Sequence, residues 1–65
     1  MNKEIDIAIK KGHMILVKST DGYTATGIPE KSQDKSRLKM RTIEGPVWIP
    51  YSEVALVSRI IPFPQ

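Results

Sequence analysis

The stretch Pro46-Val47-Trp48-Ile49-Pro50-Tyr51-Ser52-Glu53-Val54-Ala55-Leu56-Val57 decides the fold. It holds the single Trp, one of the two Tyr, and an apolar run bounded by prolines. A proline inside a helix removes a hydrogen bond and clashes with the preceding turn, so a helix is excluded here. The segment reads as a short strand, a tight turn at Tyr51-Ser52-Glu53, and a last strand returning to the sheet. Side chains alternate along a strand, so only one of Trp48 and Ile49 can face inward. Ile49 is expected inside and Trp48 at least half exposed.

Upstream of this corner the chain reads as further strands. Residues 13–20 form an apolar, β-branched run that ends at Asp21-Gly22, a hairpin signal. Tyr23 to Ile28 is the return strand. Gly27 within it predicts a bulge or sharp bend, and Pro29 is expected to end or edge it. Residues 30–36 are polar and read as a solvated loop. Arg37 to Ile43 alternates with period two: Leu38 and Met40 point one way, Arg37, Lys39 and Arg41 the other. Glu44-Gly45-Pro46 is the next turn.

Residues 2–11 fit two templates. Ile5, Ile7 and Ile9 alternate as in a strand, while Ile5, Ala8 and Ile9 share a helical face. Asn2 as a cap, Glu4 and Asp6 near the start, and Lys10-Lys11-Gly12 at the end favour a short helix. Its apolar face would plug an open end of the barrel. Residues 61–65 contain two prolines with one residue between them and are expected to be an extended tail. The whole chain, residues 1–65, reads as a single domain. It is mainly β: a five-stranded antiparallel small barrel over residues 13–60 with a short N-terminal helical segment.

Composition narrows the function classes. A chain of 65 residues buries only about 60% of its unfolded surface, so its core is small. There is no Cys, hence no disulfide framework and no thiolate metal site. No signal peptide is expected, and no run approaches the roughly 20 apolar residues of a membrane span. A cytoplasmic location is the expectation. The net charge of +3 and a pI near 9.5 favour an anionic partner only weakly.

Several resemblances sit on these residues. Gly45 to Val54 resembles the closing segment of SH3-type barrels, where a Gly turn, an apolar-Pro strand end and a one-turn 3₁₀ element lead into the final strand. Asp21-Gly22-Tyr23, Gly27-Ile28, Leu38-Lys39-Met40, Trp48-Ile49-Pro50-Tyr51 and Val54-Ala55-Leu56-Val57 together are similar to the YolD-like family. Tyr51 stands where that family usually has Phe, and the family's longer acidic N-terminal helix is absent or truncated. The resemblance implies a small SH3- or Sm-like barrel from a bacterium or its phage. It also implies a link to DNA damage, since some members are encoded beside a damage polymerase.

No catalytic set is apparent. His13 is the only His, and on a strand it stands roughly 20 Å from Ser19, too far to serve a Ser19–Asp21 pair. No metal-ligand spacing and no phosphate-binding Gly loop occurs. The chain is therefore expected to be a non-enzymatic binding module without cofactor or metal. The preferred reading is protein binding through Tyr23, Trp48, Tyr51 and Phe63, with a host protein as the modulated partner. The alternative is single-stranded nucleic-acid binding by a basic strand face of Arg37, Lys39 and Arg41, extended by Lys18. Cations on one strand face repeat about every 6.5–7 Å, close to the phosphate repeat. Glu30, Asp34 and Glu44 flank that face and count against it. Association of copies through edge strands stays open.

Overall fold

A computed structural model describes residues 2–61. The chain forms a helix, α1 (Lys3–Lys11), and five strands: β1 (Met14–Ser19), β2 (Thr24–Glu30), β3 (Arg37–Thr42), β4 (Gly45–Pro50) and β5 (Val54–Ile60). A single 3₁₀ turn, η1 (Tyr51–Glu53), joins β4 to β5. The strands make one open antiparallel sheet in the order β4-β3-β2-β1-β5, so β4 and β5 are its edges.

The N-terminal ambiguity resolves as a helix, and its ends explain why. The Asn2 side chain accepts from the amides of Glu4 at 2.8 Å and Ile5 at 3.3 Å, satisfying two donors that would otherwise lack partners. Acidic residues occupy the first turn and lysines the last, each complementing the helix dipole. Gly12 adopts φ 70°, the left-handed conformation that ends helices at low cost in glycine. Ile5 and Ala8 are fully buried, so α1 lays its apolar face on the sheet.

Strand β2 changes partner at Gly27. β2 pairs with β1 through residues 24–27 and with β3 through residues 28–30. A Cβ at residue 27 would lie 2.4 Å from the Arg41 carbonyl oxygen, a distance no side chain tolerates. Gly27 is therefore required by the close approach of β3, at the point where β2 changes partner. The bulge lies elsewhere, where β5 skips Ala55 opposite Lys18 and Ser19. Pro29 does not end β2; it pairs with Met40 and is buried. Past Gly27 the strand has β3 on one side only, so the missing Pro29 amide leaves no β1 acceptor unpaired.

The core comprises Ile5, Ala8, Ile15, Val17, Ala25, Leu38, Met40 and Ile49, with Ile9, Val47, Tyr51, Val54 and Val57 packed against it. Ile49 is 8% exposed and Trp48 45%, as alternation requires. Among the described residues no helix is long and apolar enough to cross a membrane. Residues 62–65, most of the expected tail, lie outside the described residues.

Candidate functional site

The aromatic residues expected to form a binding surface occupy separate elements. Tyr23 is exposed at the β1–β2 turn, where its amide bonds to the Ser19 hydroxyl at 3.0 Å. Trp48 stands on the outer face of β4 opposite Lys39, whose ammonium lies 5.7 Å from the ring centroid. Tyr51 belongs to η1 and is half-buried against the core. Phe63 lies outside the described residues.

The basic stripe exists, but each of its cations has an internal partner. Glu30 binds Arg41 Nη2 at 2.5 Å and lies 3.5 Å from Lys39 Nζ. Asp34 binds Arg37 Nε at 2.8 Å. Three cations against two carboxylates leave the stripe with one net positive charge. Lys18 sits on β1 beside Thr24, four residues along β2 from Ile28, the neighbour of Arg41. It is therefore roughly 13 Å along the sheet from the stripe and two strands over.

A concavity that the sequence did not announce lies between α1, the β2–β3 loop and η1. It has a volume of about 510 Å³, and its lining includes Ile9, Lys10, Lys31, Lys35 and Tyr51. This concavity is a trough beside the Tyr51 ring; a smaller hollow of about 350 Å³ also has Lys35 and Tyr51 in its lining. The β2–β3 loop is held in shape by Asp34. Its carboxylate accepts from the Ser36 amide at 2.9 Å, the Ser36 hydroxyl and Arg37 Nε. Hydrogen bonds from the Ser36 hydroxyl and amide, then from Arg37, hold the Asp34 carboxyl down to about 2.

The trough is electrically mixed but unbalanced. Asp6, Glu30 and Asp34 line it with Lys10, Lys31, Lys35 and Arg37. Glu30, Asp34 and Arg37 are engaged with each other or with β3. Among the described residues, Lys10, Lys31 and Lys35 form no ion pair, leaving three unpaired cations against Asp6. Burial, and to a lesser degree the Asp6 carboxylate, raise the Tyr51 phenol above its ordinary value. The hydroxyl is thus protonated at neutral pH and can donate to a ligand.

Among the described residues, His13 stands apart from the Ser19–Asp21 pair. Ser19 Oγ bonds to the Asp21 carboxylate, and this pair closes the β1–β2 turn. His13 is half-buried at the opposite end of β1, and its Nδ1 has no partner among the described residues. No group of three His, Cys, Asp or Glu residues among the described ones could hold a metal ion. Comparison with family models, curated proteins and solved structures matched nothing to this chain.

Proposed function

We propose that the chain is a non-catalytic binding module built on a small SH3/Sm-like barrel, which holds an extended segment of a partner protein. The trough beside Tyr51 is the observation that carries this reading. Ligand sites are concave, mainly apolar, and carry a few polar groups that fix orientation. Here Ile9 and Tyr51 supply the apolar lining, and Lys10, Lys31 and Lys35 supply unpaired charge. The matching segment carries acidic side chains beside an aliphatic or aromatic one.

Mixed charge favours polypeptide over nucleic acid. Glu30 and Asp34 are already paired with cations, so Asp6 is the one unpaired carboxylate of the lining, and a peptide can offer a donor toward Asp6 as well as carboxylates toward the lysines, which a phosphate backbone cannot. The nucleic-acid reading also loses strength from the internal pairing of Arg37, Lys39 and Arg41. An accessory role that modulates a host protein in a bacterium or phage rests on the YolD-like resemblance and the small size of the chain alone.

Selection from a random peptide library tests the reading. Enriched peptides should be acidic with an apolar anchor, and should lose binding to Tyr51→Ala and to Lys31→Glu/Lys35→Glu but not to Trp48→Ala. Enrichment that depends on Trp48 and ignores Tyr51 overturns the assignment. Oligonucleotide binding that loses about one unit of salt slope per cation removed from β3 supports nucleic acid instead.

A further inference from the structure

The two sheet edges are built differently. β4 carries Pro46 and Pro50, which have no amide to offer a neighbouring strand. β5, Val54-Ala-Leu-Val-Ser-Arg-Ile60, has no proline and no lysine, the usual devices that blunt an edge. Its one charge, Arg59, lies on the same face as buried Ile15 and donates to Glu4 Oε1 at 2.6 Å. Among the described residues β5 has a neighbour only on its β1 side. Its outer face presents Leu56 and Ile60, 55% and 43% exposed, on either side of Ser58.

We propose that β5 pairs antiparallel with β5 of a second copy, about a two-fold axis through Ser58. In that register Leu56 faces Ile60 of the partner subunit, Val57 faces Arg59 of the partner subunit, and the two Ser58 residues face each other. Two Leu–Ile pairs form on the outer face, beside Met14, which already flanks Ile60. No like charges stand directly opposite; the two Arg59 residues lie on a diagonal, each held by its own Glu4. The register uses residues 56–60 and leaves out the bulge at Ala55; centring on Val57 would bring the bulge into the ladder.

A second copy fits better than an unrelated strand for two reasons. The edge is complementary to itself, which a closed two-fold interface requires. Among the described residues, pairing leaves free the two β4 edges, each carrying two prolines, and the short stretch of β2 past Gly27, which carries Pro29, so assembly stops at a dimer. A chain this small gains from the added burial. The proposal uses none of the residues lining the trough.

The chain has no cysteine, so Ser58→Cys is a clean reporter. Directly opposed residues have Cβ atoms about 4.5–5.5 Å apart, close enough for a disulfide to form with little adjustment. Mild oxidation should link Ser58→Cys chains into dimers. Leu56→Cys chains should stay unlinked, because their thiols lie about 13 Å apart in this register. An equimolar mixture of Leu56→Cys and Ile60→Cys chains should crosslink. In sedimentation equilibrium the wild type should be a dimer, and Leu56→Lys/Ile60→Lys should weaken dimerisation by at least about tenfold while keeping its circular dichroism spectrum. A wild type that is monomeric at submillimolar concentration overturns the proposal, whether residues 62–65 or a strand of another protein covers the edge. Equal crosslinking of Ser58→Cys and Leu56→Cys overturns it as well.

Discussion

The amide of Tyr51 donates to the carbonyl of Ser36 at 2.9 Å, latching η1 to the β2–β3 loop. The ring that walls the trough and the loop that carries Lys31 and Lys35 are therefore held by one backbone contact. Ring and cations can be separated by mutation. Tyr51→Phe should keep the apolar wall and lose at most about 1 kcal/mol of peptide affinity with the hydroxyl. Tyr51→Ala removes an aromatic anchor and should cost about 2 kcal/mol or more. Calorimetric titration with a selected peptide measures both, and equal affinities for the two variants would deny Tyr51 its role.

Gly27→Ala tests how tightly β2 crosses β3. The new Cβ would meet backbone, the Arg41 carbonyl, rather than the yielding end of a side chain. The strands must part, and a loss of about 1–3 kcal/mol is expected, a large share of the stability of a domain this size. Urea denaturation measures it. An unchanged midpoint would mean that β2 and β3 do not approach as closely as described.

Sequence periodicity revealed most of the fold. Alternation in β3 and β4 placed Leu38, Met40 and Ile49 inside and Trp48 outside, because a strand flips every side chain. The cap at Asn2 and the break at Gly12 marked both ends of α1. Of the two expectations for Pro29, the edge position holds and the strand end does not; which applies depends on the neighbours β2 still has at that point, a property of pairing rather than of local sequence. The trough was hidden for the same reason. Asp6 to Lys10, residues 30–37 and Tyr51 are distant in the chain, and only the packing of α1 on the sheet joins them. The Glu30 pairs with Lys39 and Arg41 likewise depend on strand register; the sequence showed only that acids flank the stripe.

Asp34 sets an acid limit on the loop. Its carboxyl is held down to about 2 in the folded chain, by Ser36 first and Arg37 after it. A depressed carboxylate stabilises the fold above its unfolded value near 3.9, and that contribution fades as pH falls toward 2. The loop should therefore be unchanged between pH 7 and 5 and loosen below about 4. A carbon-detected titration should place the Asp34 midpoint near 2. A midpoint near that of a free aspartate would contradict the Ser36 and Arg37 contacts.

Glu30 restrains the basic face of β3. Glu30→Gln releases Lys39 and Arg41 together, since one carboxylate holds both. Oligonucleotide affinity should be weak in the wild type, and in the variant should rise several-fold and become more salt-dependent. Fluorescence anisotropy across a salt series reads this. Strong wild-type binding indifferent to Glu30 would restore nucleic acid as the ligand.

The most direct test is a two-dimensional ¹⁵N–¹H NMR titration of the labelled chain with a library-selected acidic peptide. Shifts should cluster at Ile9, Lys10, Lys31, Lys35 and Tyr51 while Trp48 and Lys39 stay still. Shifts confined to the outer face around Trp48, or a spectrum unmoved by every selected peptide, would contradict a partner segment lying beside Tyr51.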